Sequence, residues 1–218
     1  MASLNGEERR ARLEASRLYV VTDAREDKRD LPAFLGAILG AGVDIVQLRE
    51  KNAEAGDLVR WSRVFRKAAD EHGALFMIND RADVAIACEA DGLHVGRNDL
   101  PSQWARRFVG PDMILGLSCH SAGDHDNLPA EVDYVTAGPV WATPTKPDRE
   151  ATGLELVTRA AHKVKLPWFA IGGVDGGNIR QVVRAGGTRI VVVRAVTEAE
   201  DPAYAVKELL SALPKQPR

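Results

Sequence analysis

Eight short runs of apolar, mostly β-branched residues recur along the chain, each separated from the next by enough sequence for a helix. They read LYVVT from Leu18, VDIVQL from Val43, ALFMIN from Ala74, DGLHV from Asp91, MILGLS from Met113, DYVTAG from Asp133, WFAIGG from Trp168 and RIVVV from Arg189. Runs that are apolar at nearly every position, rather than at every second one, fit strands covered on both faces. The intervening segments carry helical periodicity: between Gly56 and His72, the residues Leu58, Val59, Val64, Phe65 and Ala69 recur at that spacing. Strands alternating with crossover helices make a parallel sheet, and eight such units close into an α/β (β/α)8 TIM barrel. A doubly wound sheet usually has fewer strands and a glycine-rich turn after the first, and no such turn follows LYVVTD. The last unit ends in Asp201, placed as an N-cap, Pro202 at the first helical turn, and the helix AYAVKELLSAL.

At 218 residues the chain can bury one sizeable core. The expected organisation is a charged arm or extra helix over residues 1–17, then a single barrel over 18–218, with no Pro/Ser-rich linker or low-complexity segment. A net charge of −2 with interspersed signs lays down no face for nucleic acid or an anionic membrane. Any cationic site must therefore be local. Cys88 and Cys119 lack metal-ligand spacing and are too few for a disulfide framework, which suits a reducing compartment. The N-terminus has no signal-peptide core, and no apolar stretch approaches the ~20 residues of a membrane span. A cytoplasmic protein is expected.

Barrel enzymes draw their chemistry from strand ends and the loops that follow. After the second strand, alternation sends Gln47, Arg49 and Lys51 to one side, Leu48 and Glu50 to the other. Arginine's planar fork and lysine's mobile charge suit a diphosphate, although a solvated charge run would read the same. Asn79-Asp80-Arg81 and Asp99 bring two carboxylates to adjacent strand ends. Mg²⁺ needs one or two carboxylates beside water and substrate phosphate. The alternative is that Asp80 and Asp99 cap the helices that follow. Ser118-Cys119-His120-Ser121 tempts a Cys–His pair, but adjacent residues on an extended chain point apart, so Ser118 as an anion donor is more economical. His94, with no partner histidine at ligand spacing, reads as a hydrogen-bonded barrel residue. The stretch Gly138 to Pro147 cannot be a regular helix, and it offers Thr143, Thr145 and Lys146 to an anion as a lid. Gly172 and Gly173 permit close backbone approach to a phosphate, with Arg194 after the eighth strand.

In order and at barrel spacing, QLREK, INDRAD, the interval from Asp80 through ADGLHVG to Asp99, GLSCHS, GPVWATPTK, AIGGV and VVVRAV resemble the thiamine phosphate synthase (thiamine-phosphate pyrophosphorylase) family, from Leu18 to about Pro202. The resemblance implies a transferase that joins 4-amino-2-methyl-5-pyrimidinylmethyl diphosphate to 4-methyl-5-(2-phosphooxyethyl)thiazole. Carried over residue by residue, it implies that Gln47, Leu48, Arg49, Glu50, Lys51 and Asn79 hold the pyrimidine diphosphate. Asp80 and Asp99 would bind Mg²⁺, one per subunit. Arg49, Lys51, Ser118 and Lys146 would act on the departing diphosphate, and Thr143, Pro144, Thr145, Gly173, Val193 and Arg194 would receive the thiazole phosphate. Many members resemble VSAI where this chain has Val193-Arg194-Ala195-Val196, so Arg194 stands in place of a small residue. The implied mechanism is dissociative and needs no protein nucleophile. A thiazole tautomerase using His120 and a non-catalytic phosphate binder are the competing readings, and a homodimer is among the expectations.

Overall fold

A computed structural model describes residues 4–143 and 150–215. Its strands are β1 (Leu18–Thr22), β2 (Ile45–Leu48), β3 (Leu75–Asn79), β4 (Gly92–Val95), β5 (Ile114–Cys119), β6 (Tyr134–Ala137), β7 (Trp168–Ile171) and β8 (Ile190–Val192). They pair in parallel and in sequence order, and β8 pairs back onto β1, which closes the barrel. The helices are α1 (Gly6–Ala15), α2 (Leu31–Gly40), α3 (Ala55–His72), α4 (Ala82–Ala87), α5 (Ser102–Val109), α6 (Ala122–Asp126), α7 (Gly153–Lys163), α8 (Ile179–Arg184), α9 (Arg194–Thr197) and α10 (Pro202–Ala212). The expected (β/α)8 architecture is thus the observed one.

Strand parity divides the apolar residues into two cores. Tyr19, Val21, Ile45, Leu75, Met77, Ile114, Tyr134, Phe169 and Val191 fill the lumen. Their strand neighbours, including Val20, Val46, Phe76, Leu93, Leu115 and Val135, pack outward in a second core with the helices. That division explains the nearly unbroken apolar runs, since both faces of every strand are dry. Inside the lumen, space is made where the large rings sit. A Cβ at Gly116 would run into the Tyr134 ring, and one at Gly92 into Met77, so these two positions accept no side chain without displacement.

Asp44, Asp91 and Asp133 were expected within their strands, yet they lie just before β2, β4 and β6 respectively. Their carboxylates turn back to accept backbone N–H groups at the start of the preceding strand: Leu18 to Asp44 at 2.9 Å, Phe76 to Asp91 at 2.9 Å, Leu115 to Asp133 at 2.8 Å. Helix α1 then closes this end of the barrel. A capping box between Asn5 and Glu8 starts it, and Leu13 plugs the lumen. Arg9 and Arg66 meet Asp91 at 3.3 and 2.7 Å, while Arg10 and Arg106 meet Asp133 at 2.8 and 2.6 Å. Arg9 and Asp91 are both almost fully buried.

Removing one partner of a buried pair leaves the other charge without compensation. Asp91→Ala takes the carboxylate from the buried Arg9, from Arg66, which keeps Asp70, and from the Phe76 N–H, so it should cost about 3–5 kcal/mol in urea unfolding with an unchanged m value.

Candidate active site

At the carboxyl ends of the strands the lumen opens into two connected spaces. The lower, of about 50 Å³, is lined by Gln47, Arg49, Asn79, His94 and Ser118 among others. The upper, of about 260 Å³, lies over β5 to β8 and is lined by Ser118, His120, Thr143, Gly172, Gly173 and Arg194 among others. Ser118 and Thr136 belong to both.

Parity decides which members of the β2 strand end reach this space. Gln47 is buried in the lumen, and its Nε2 donates to the Tyr19 hydroxyl at 2.5 Å. Arg49 extends the ladder through its N–H to the Thr22 carbonyl at 2.9 Å and turns its side chain into the lower cavity. Leu48 packs in the outer core instead, and Glu50 lines a separate depression with Asp23 and Arg25. The side chains of Leu48 and Glu50 therefore face away from the cavity, because residues one apart on a strand point to opposite faces.

Lys51 Nζ lies 3.3 Å from Asp80 Oδ2. Asp80 adopts a left-handed backbone (φ 61°), an uncommon conformation that aspartate tolerates better than most residues, and its N–H donates to the His94 carbonyl at 2.8 Å. Burial raises the Asp80 carboxyl above its ordinary pKa; the adjacent Asp99 raises it further, and Lys51 opposes both. Asp99 is fixed by the Gly96 N–H, which donates to Oδ2 at 3.0 Å. Neither aspartate caps a helix: the N-cap positions of α4 and α5 are Arg81 and Pro101, without side-chain capping bonds. Two carboxylates held against each other, with one lysine beside them, are a donor set that a hard divalent cation fits. Among the described residues no group of three or more His, Cys, Asp or Glu gathers, so water and substrate oxygens would complete its shell.

The side of the upper cavity over β7 and β8 is built largely of backbone. Loop residues Val140 and Trp141 donate to the carbonyls of Ile171 and Gly172 at 2.9 and 3.0 Å, which carries the β6–β7 pairing beyond the strands. Gly172 (φ 100°) and Gly173 (φ 67°) then turn in the left-handed region, where a Cβ at either would meet Pro139 or Trp141. Asn178 Nδ2 holds the Gly173 carbonyl at 2.7 Å. Val193 lines the cavity below Arg194, whose guanidinium is 3.8 Å from Glu198 and half exposed. Pro144, Thr145 and Lys146 lie outside the described residues.

Cys119 is fully buried in the outer core, and burial pushes its thiol up to about 12, which leaves it inert as a nucleophile. His120 turns the other way, into the upper cavity, with Nδ1 2.5 Å from the Gly138 carbonyl. No Cys–His pair forms. His94 is hydrogen-bonded within the barrel: Nδ1 meets the Tyr134 hydroxyl at 2.9 Å and Nε2 meets Ser118 Oγ at 2.9 Å. Tyr134 continues to Tyr19 at 3.2 Å, and Tyr19 to Gln47. Sequence reasoning missed Tyr19, Tyr134 and Thr136 in this constellation. The signal was there in the parity, since Thr136 stands two residues from Tyr134 and pairs in register with Ser118.

A family model described as thiamine monophosphate synthase matches residues 18–196. The thiamine-phosphate synthase of Thermobifida fusca is 53% identical over 203 residues, covering 92% of this chain and 93% of its own. That of Saccharopolyspora erythraea is 50% identical over 222 residues, covering 98% and 100%. Among solved structures, thiamine phosphate pyrophosphorylase from Pyrococcus furiosus superposes with a TM-score of 0.83 at 33% identity, covering 93% of this chain and 96% of its own. A 3-hexulose-6-phosphate synthase, at 20% identity and a TM-score of 0.65, shares the fold.

The Asp80–Asp99 geometry has a measurable consequence for the metal-free protein. A carboxyl whose folded pKa exceeds its unfolded one loses stability as pH rises through the ordinary aspartate range, because the folded state resists ionisation. Asp99→Asn removes the neighbouring charge and should raise Tm at pH 7; the gain should shrink as pH falls through the raised pKa of Asp80, where its carboxyl takes up a proton. Calorimetry across that range in the presence of chelator would read it.

Proposed function

The chain belongs to the thiamine monophosphate synthase family, and from that premise we propose how its barrel mouth forms thiamine phosphate from a pyrimidinylmethyl diphosphate and a thiazole phosphate. The observation that carries the reading is a pair of adjoining cavities that share Ser118 and Thr136, one lined by Gln47, Arg49 and Asn79 and the other by Gly172, Gly173 and Arg194.

In this reading Gln47 and Asn79 hold the pyrimidine over the lower cavity, and the diphosphate lies among Arg49, Lys51 and Ser118. Asp80 and Asp99 hold Mg²⁺, which when bound supplies charge neutralisation to the diphosphate. Lys146 belongs to the same proposal by its place in the sequence. The bond from the pyrimidinylmethyl carbon to oxygen breaks with both electrons leaving on the diphosphate. The thiazole nitrogen then donates its lone pair to that carbon, which forms the new C–N bond. Arg49 and Lys51 stabilise the charge as it develops on the leaving oxygen, and the Ser118 hydroxyl donates to it. Gly173, Val193 and Arg194, with Thr143 and Thr145 from the loop, receive the thiazole phosphate. Orientation is the other contribution: both reactants are bound side by side, and the apolar walls at Ile171 and Val191 exclude water from the cation. No protein nucleophile is required, in keeping with the inert Cys119.

The proposal includes a cytoplasmic location, supported by the free Cys88 and Cys119. No helix among the described residues is long and apolar enough to cross a membrane.

With both substrates and Mg²⁺, purified protein should release thiamine phosphate and diphosphate in equal amounts. Asp99→Ala should lower the rate at limiting Mg²⁺ on the order of 100-fold while leaving the urea midpoint no lower than wild type. A normal rate in that variant at limiting Mg²⁺ would remove Asp99 from the metal site.

A further inference from the structure

A chain of hydrogen bonds runs from one side of the lumen to the other: Gln47 to Tyr19 at 2.5 Å, Tyr19 to Tyr134 at 3.2 Å, Tyr134 to His94 at 2.9 Å and His94 to Ser118 at 2.9 Å. Only its two ends are assigned to substrate in the reading above. We propose that Tyr134 is a positioning residue which, through His94, holds the Ser118 hydroxyl as a donor aimed at the substrate's diphosphate; this rests on the assignment of Ser118 to that group.

The direction of the chain follows from counting protons. Gln47 presents Nε2 to Tyr19, and an amide nitrogen donates but cannot accept. Of the two described partners of Tyr19, only Tyr134 Oη can accept, so this direction is the one that leaves the buried Tyr19 proton satisfied. Tyr134 Oη, having accepted from Tyr19, spends its own proton on His94 Nδ1. An imidazole nitrogen that accepts carries no proton, so the hydrogen of the His94 ring sits on Nε2 and points at Ser118 Oγ. Ser118 thus accepts from His94, and its hydroxyl proton is left for the cavity it lines. Both phenols are held protonated by full burial, which raises each well above the ordinary tyrosine range, so neither interrupts the count.

Reversal of the chain would be harmful. A serine donating to His94 would turn its lone pairs towards the cavity and repel a diphosphate oxygen. The proton order therefore converts an ambivalent hydroxyl into a committed anion donor. The order reaches His94 through Tyr134, which lies deep in the lumen, lines neither cavity and sits where Gly116 leaves room for its ring. Tyr134 also packs edge-on against Phe169. Phenylalanine at 134 keeps that packing and deletes only the relay.

The test combines spectroscopy with kinetics on the full-length protein. In ¹⁵N-histidine-labelled enzyme, long-range ¹H–¹⁵N spectra should show His94 protonated on Nε2, with the signal identified by its loss in His94→Gln. In Tyr134→Phe that tautomer should give way to a mixture. The variant's kcat/KM for the pyrimidine diphosphate should fall about tenfold, as expected for losing one oriented donor to a charged group. KM for the thiazole phosphate should change less than about twofold. Ser118→Ala should show a similar loss, and the double variant little more than either alone. An Nδ1-protonated or doubly protonated His94 in the wild type overturns the proposal, and needs no variant to fold. So does a Tyr134→Phe enzyme of wild-type kcat/KM beside an impaired Ser118→Ala. An unimpaired Ser118→Ala overturns it by another route, since the assignment of Ser118 to the diphosphate then fails.

Discussion

Each strand of a closed eight-stranded barrel sends alternate side chains into a lumen that other strands must also fill. The inner positions are therefore not independent: a ring entering from one strand requires a small residue on the next. Tyr134 on β6 faces Gly116 on β5, and Met77 on β3 faces Gly92 on β4. Polar groups that enter the same space have to satisfy each other, since no bulk water reaches them. The Gln47–Tyr19–Tyr134–His94–Ser118 chain is what that requirement produces. The site at the barrel mouth inherits its geometry from this packed interior. Arg49, Asn79, Ser118 and Val193 face the cavity because the residues below them on the same strands face the lumen.

The two ends of the barrel use carboxylates in opposite ways. At the closed end Asp91 and Asp133 each meet two arginines and a strand N–H, so their charges are compensated several times over. At the open end burial raises the cost of ionising Asp80, the facing Asp99 adds to it, and Lys51 beside them offsets part. The closed end is built for stability. The open end keeps two facing carboxylates that Lys51 compensates only in part.

The architecture was legible because both faces of every strand are dry, which leaves uninterrupted apolar runs that a helix or a half-exposed strand does not produce. Arg49, Lys51 and Asp80 were legible for a related reason: charged residues directly after such runs lie at the strand ends, and alternation decides which of them turn to the barrel mouth. Leu48 and Glu50 entered the candidate set through their motif, and alternation already placed them on the other side. The aspartates before β2, β4 and β6 read as strand residues because their role depends on the neighbouring strand's N–H, which is distant in sequence. Tyr19 and Tyr134 were hidden by their own chemistry. An aromatic in an apolar run looks like core, and here each is core on its ring and network at its oxygen. For the loop from Pro144 to Lys146, the reading stays at the level of residue type.

Arg194 illustrates how a departure from a family pattern can leave a site's design intact. At a side-chain-built anion site, replacing a small residue by arginine would change the charge directly opposite the ligand. The side of the cavity over β7 and β8 is instead formed by turns whose glycines bring the main chain close: Gly172 and Gly173 cannot accept a Cβ without striking the loop after β6. The side chain at 194 stands half exposed at the rim, within 3.8 Å of Glu198 one helical turn further on. A neighbouring carboxylate offsets part of its charge, and solvent screens more. Under the proposed reading, a phosphate there meets the glycine backbone first, and Arg194 reaches it from the rim with its charge already partly offset. Gly173 has no latitude for such a departure, because its left-handed backbone and the nearby Trp141 both exclude a side chain.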